Sequence, residues 1–152
     1  MTFSKILVGI DGSEYSRNAV NYALDLAVKY DSELLLLAIV PSQVHHGDSS
    51  GVFGMVAPSY FNEYKKEADK WFEEIINHIN KETTIDSTTR VKSEVITTPF
   101  STPASILNYA EERDVDLIVI GTRGNSGLKK MLLGSVAVDV VTYSYCPVLV
   151  VK

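Results

Sequence analysis

Four short apolar runs decide what this chain can become. They cover residues 5–10, 34–40, 116–120 and 147–151. Each is continuous rather than alternating. A strand of that kind is buried on both faces, which is the habit of parallel sheets covered by helices. Segments of helical period separate them. Ala19, Ala23 and Ala27, with Val20, Leu24 and Val28, recur every four residues after the Asp11-Gly12-Ser13 break. That is an amphipathic helix with a small-residue face, and Ser13 suits its N-cap. Phe61, Tyr64, Ala68, Phe72, Ile75 and Ile79 mark a second helix of about 20 residues. Trp71 and this stripe read as core or interface.

The remaining segments complete the alternation. Residues 91–96 alternate weakly through Val91, Ser93 and Val95, which predicts an edge strand. Thr102-Pro103 predicts a helix start with Thr102 as N-cap and Pro103 first in the helix. Its Ile106, Leu107 and Ala110 should face inward. Residues 135–143 are rich in valine, yet Val136/Val140 and Ala137/Val141 repeat at helical spacing, and the glycines before Ser135 favour a helix. Pro41 should stop the second strand. Residues 41–58 show no period, and their Gly and Ser content predicts a loop. The order is β-α-β-α-β-α-β-α-β. It implies one domain over residues 1–152, an α/β fold with an open five-stranded parallel sheet and helices on both faces.

Charge narrows the function. The chain of 152 residues carries 14 basic and 19 acidic side chains, a net −5. Nucleic-acid binding rests on clustered Lys and Arg, so no nucleic-acid partner is expected. No apolar run is long enough to span a membrane, and no leader is evident at residue 1, so a cytoplasmic protein without a membrane partner is expected. The single cysteine, Cys146, lies beside an apolar strand and reads as a buried, inert thiol.

Ligands of open α/β sheets bind beyond the carboxyl ends of the strands, where strand order reverses. If the first strand is central, residues 9–11, 39–41 and 121–124 meet there. Asp11 then sets a carboxylate over the site, or serves only as a turn former. The sequence Gly121-Thr122-Arg123-Gly124, with Gly134-Ser135 following, lies between a strand and a helix. Glycine lets backbone N–H groups approach phosphate oxygens, and a helix N-terminus adds positive partial charge. The spacing is neither a P-loop nor a G-x-G-x-x-G dinucleotide fingerprint.

Three further groups are ambiguous. His45 and His46, near Asp48, fit a solvated loop better than a metal site. His78 falls late in a helix, where a surface role is expected. Lys129 and Lys130 are equally suited to a terminal phosphate and to solvent.

The chain resembles the ATP-binding branch of the universal stress protein family over its full length. The resemblance rests on residues 5–13, on Leu36-Leu37-Ala38-Ile39-Val40, on the spacing G-x2-G-x9-G-S from Gly121 to Ser135, and on Pro147-Val148-Leu149-Val150-Val151. Ala38 stands where the family often carries His. The resemblance implies an adenine nucleotide alpha hydrolase-like fold with strand order 3-2-1-4-5. It implies a site for ATP, or for AMP or ADP, with magnesium. That site would draw on Gly9, Ile10, Asp11, Ile39, Val40, Gly121, Thr122, Arg123, Gly124, Gly134, Ser135 and Val136. Asp11 would fall near ribose and metal, and Ile39 would offer its backbone to adenine. A homodimer, a role as nucleotide-dependent regulator and an unidentified protein partner are implied as well, and the uninterrupted apolar run Val148 to Val151 at a sheet edge points to residues 147–151 as the homodimer's seam. Asp11 and Arg123 are the only candidates for chemistry, so ATP hydrolysis or phosphate transfer at this site would be slow.

Overall fold

The structure, a computed structural model, describes residues 2–41, 43–44, 54–55, 58–84, 86, 90–124 and 133–152. The elements in chain order are β1 (Lys5–Gly9), α1 (Glu14–Tyr30), β2 (Glu33–Pro41), β3 (Gln43–Val44), β4 (Gly54–Met55), α2 (Pro58–Glu82), β5 (Val91–Thr98), α3 (Thr102–Glu112), β6 (Leu117–Gly121), α4 (Ser135–Tyr143) and β7 (Val148–Val151). The main sheet has the order β5-β2-β1-β6-β7, and every pairing in it is parallel. Numbered by its own strands, that order is 3-2-1-4-5. β1 is central, with Leu7 opposite Leu35 on one side and Ile118 on the other.

Successive side chains of a strand point to opposite faces, so each continuous apolar run feeds two cores. Ile6, Val8, Leu34, Leu36, Ala38, Leu117 and Val119 pack with α1 and α2. Leu7, Leu35, Leu37, Ile39, Ile118 and Ile120 pack with α3 and α4. On α1, Ala19, Ala23 and Ala27 are almost fully buried, and their small side chains bring the helix close to the sheet. Ser13 caps this helix by accepting from the Ser16 N–H at 3.1 Å. Val28, placed on the same stripe by the sequence, is 47% exposed: it lies one position past Ala27, at the edge of the buried arc.

Three local readings change. The N-cap of α3 is Ser101, not Thr102. Ser101 has extended backbone and its Oγ accepts from the Ala104 N–H at 3.4 Å, so Thr102 is already helical. Pro41 ends β2 from inside the strand. β1 pairing stops at Gly9 opposite Leu37, so beyond that point β2 is bordered only by β5 and tolerates the missing donor. Gln43–Val44 and Gly54–Met55 form a small antiparallel ribbon within the expected loop. Two-residue strands carry no period for the sequence to reveal. His45, His46, Asp48, Lys129 and Lys130 lie outside the described residues. His78 is exposed on α2, as expected. Cys146 is only half-buried, against the α3/α4 core, with Ser144 Oγ 3.5 Å from its sulfur.

Candidate functional site

A cleft of about 280 Å³ opens at the carboxyl ends of β1, β2 and β6. Strand order reverses there, because β1 leads out to β2 and the chain returns on its other side through β6. Of the residues marked in the sequence, all but Val40 line this cleft. Val40 is fully buried. Strand alternation sends Ile39 to the α3/α4 face, where the cleft opens, and turns Val40 away from it. Ser16, Tyr64, Thr102 and Ile106 also line the cleft and were not singled out for it. Tyr64 belongs to the apolar stripe of α2, and nothing in that stripe distinguishes a cleft residue from a core one.

The glycines around the cleft serve different ends. Gly12 has φ +78°, and a Cβ there would lie 2.5 Å from the Trp71 ring. It makes the β1–α1 turn possible and lets α2 close over it. At Gly121 a Cβ would meet Tyr15 Cβ at 2.6 Å and the Tyr15 carbonyl carbon at 2.9 Å. That glycine admits the start of α1, and its backbone also lines the cleft. Gly124 is exposed, and among the described residues the atom nearest its missing side chain is Asp11 Oδ2, at 2.9 Å. Gly134 donates its N–H to the Thr122 carbonyl at 2.7 Å, and a Cβ would crowd that oxygen at 3.3 Å.

Asp11 combines both roles weighed for it. Its Oδ1 accepts from the Ser13 N–H at 3.0 Å and from the Ser13 hydroxyl, which holds the turn. Its Oδ2 is directed toward Gly124 across the cleft. Arg123 lies in the wall with its guanidinium 6.0 Å from the centre of the Tyr15 ring, a loose cation–π contact. Tyr64 approaches from α2, packed edge-on against Trp71 with ring centres 5.7 Å apart. Burial, and then the charge of Asp11, push its phenol up to about 12.

The start of α4 differs from those of α1 and α3. Ser13 caps α1 and Ser101 caps α3, each with a side-chain oxygen. α4 begins after Gly134, which supplies no side-chain cap. The first N–H groups of a helix have no partner within it. At α4 they are presented where Gly134, Ser135 and Val136 line the cleft. An anion fits that position by hydrogen bonding and by the helix dipole together.

Comparison with known proteins places the chain. A sequence model described as the universal stress protein family matches residues 2–152. The chain is 40% identical over 156 residues to Universal stress protein YxiE of Bacillus subtilis (strain 168), covering 99% of each. Among solved structures it superposes on the hypothetical protein MJ0577 with a TM-score of 0.76 and 27% identity, covering 100% of this chain and 97% of the other. It also superposes on a universal stress protein from Archaeoglobus fulgidus solved in complex with dAMP. There the TM-score is 0.70 and the identity 22%, with both chains fully covered.

Proposed function

The chain belongs to the universal stress protein family, and from that premise we propose that its cleft binds an adenine nucleotide and that the protein acts as a nucleotide-dependent regulator. ATP is the ligand assigned, with ADP and AMP its shorter forms. The observation that carries this reading is the uncapped start of α4 beside exposed, side-chain-free Gly124. The apolar part of the wall, with Leu37, Ile39 and Ile106, suits a base. The Archaeoglobus structure, which carries dAMP, supports the same class of ligand. Magnesium would enter on the phosphates, which supply much of its oxygen shell. Among the described residues no three His, Cys, Asp or Glu side chains converge into a metal site.

Calorimetry with magnesium and ATP tests the reading. Gly124→Val should abolish binding, because its side chain enters the cleft against Asp11. Unchanged ATP affinity in that variant would remove the phosphates from this position.

The same reading includes a homodimer through β7. The Pro147 and Val151 carbonyls accept from Ile118 of β6 and from Thr122, the residue just after it. By alternation, Val148 and Val150 direct their backbone groups to the free edge. That edge carries no charge from Val148 to Val151, and an uncovered apolar edge seeks a strand. Light scattering at micromolar concentration should give twice the chain mass, and Val150→Pro should shift it toward one. A monomer mass for the unmodified protein would refute this interface.

A further inference from the structure

The helix α2 is held unevenly along its 25 residues. Its later part is anchored in the α1/α2 core, where Ala68, Phe72, Ile75 and Ile79 are buried at helical spacing. Residues 59–67 hold no buried side chain. About ten residues, roughly 15 Å of helix, thus precede the first anchor. Within that stretch Tyr60 is 47% exposed, whereas Tyr64 packs against the α1/α2 core and also lines the cleft. Tyr64 meets the Trp71 ring edge-on, at 5.7 Å between centres, and Trp71 lies over Gly12, where there is no room for a Cβ. The start of α2 is therefore a wall of the cleft that leans on one tyrosine.

A helical stretch of this length is marginal in water without packing, and segments with few buried contacts open locally at little cost. Lys65 pairs with Asp69 one turn on, but both side chains are exposed, and such a pair contributes little. Docked, the stretch presents Tyr64 to the cleft. Frayed, it withdraws that wall. A ligand in contact with Tyr64 binds the docked state better and shifts the population toward it, whereas equal affinity for both states would shift nothing. We propose that residues 58–67 form a lid in exchange between a docked and a frayed state, and that a nucleotide in the cleft holds it docked through Tyr64. The proposal rests on the nucleotide reading given above and adds to it the surface that occupancy changes. Asn62, Glu63, Lys65, Lys66 and Glu67 are all exposed on that stretch.

Hydrogen exchange of the full chain, with and without saturating magnesium and ATP, tests it alongside calorimetry. Amides of residues 62–67 should exchange roughly five- to tenfold more slowly with ATP, the low end of coupling between sites. They exchange by local opening, so a ligand indifferent to that opening leaves them unchanged however far it stabilises the whole fold. Lys66→Pro supplies the reciprocal measurement. Lys66 is exposed, and a proline there breaks the helix just before its first anchor. The variant should bind ATP more weakly by about the same factor, because coupling is mutual. Equal exchange with and without ATP, in a protein that calorimetry shows to bind it, would overturn the proposal and leave the nucleotide reading standing. So would an unchanged ATP affinity in Lys66→Pro. An unmodified protein that takes up no ATP would overturn both.

Discussion

The two ends of the sheet are built on opposite terms. At the amino end, polar groups are paired within the chain. Asp116 Oδ2 accepts from the Ser4 and Lys5 N–H groups at 2.7 and 2.9 Å, and Lys5 Nζ reaches the Arg113 carbonyl at 2.7 Å. Glu94 accepts from the Tyr109 hydroxyl at 2.8 Å and from Arg113 at 3.0 Å, and Lys92 pairs with Glu33. At the carboxyl end, side chains give way to bare backbone at Gly9, Gly121, Gly124 and Gly134, and α4 starts without a side-chain cap. The same five strands thus end in internally paired side chains below and in glycine backbone above. The proposed binding falls at the end where fewer polar side chains span between elements.

Substitution of two glycines three residues apart tests that division most severely. Gly121→Val drives a branched side chain into the Tyr15 backbone, which cannot yield, and should cost about 3 kcal/mol of stability. Among the described residues Gly124→Val meets the Asp11 carboxylate alone, and it should change stability by no more than about 0.5 kcal/mol. Denaturant titration of both variants gives the comparison. Equal losses would mean that the glycine turn is a single structural unit rather than a packing residue followed by a binding one.

At the amino end, Asp116→Ala should cost about 2 kcal/mol by removing two charge-assisted hydrogen bonds. Asp116→Asn should recover most of it, because the amide oxygen can still accept. Nucleotide affinity should not change in either variant. A loss of affinity would show that the two ends are coupled through β1 and β6.

The smallest effect is alkaline. Tyr64, at the carboxyl end, is raised from 10.0 to about 12 in the folded chain. Tyr109, at the amino end, is raised further by burial and by its bond to Glu94. The unfolded chain releases these protons first. The stabilisation is therefore complete below pH 10.0 and is lost as pH rises through the folded values. Denaturation midpoints measured from pH 10 to 12 should fall, and Tyr109→Phe should flatten the decline more than Tyr64→Phe. A flat profile in the unmodified protein would contradict both assignments.

The sequence was legible where one local rule suffices. Short continuous apolar runs bounded by turn residues suit strands buried on both faces, and their alternation with segments of helical period implies a parallel sheet. The valine-rich segment at residues 135–143 is a helix because Gly134 precedes Ser135 and Ala137 and Val140 share a buried face. The glycine turns and Asp11 were legible because their spacing brackets a strand end. What local rules do not reach is contact between distant segments. Tyr64 lines the cleft only because α2 crosses over Gly12, some fifty residues earlier in the chain. Gly121 lines the cleft and is also a packing glycine, because the partner that excludes a side chain is the distant Tyr15. Val40 was implied by the resemblance together with Ile39, and the pleat turns the side chains of neighbours to opposite faces.

The Asp116 clamp has a consequence for how the chain finds its fold. Where one face of a sheet is wet, slipping a strand by one residue exposes its apolar side chains and is penalised at once. β1, β2 and β6 are apolar on both faces, so a slipped β1 would still bury aliphatic side chains on either side. Oil alone leaves the alignment nearly degenerate. A single carboxylate that grips two consecutive amides at the mouth of β1 is satisfied in only one alignment. It works as an index pin, selecting among arrangements that hydrophobic burial scarcely tells apart.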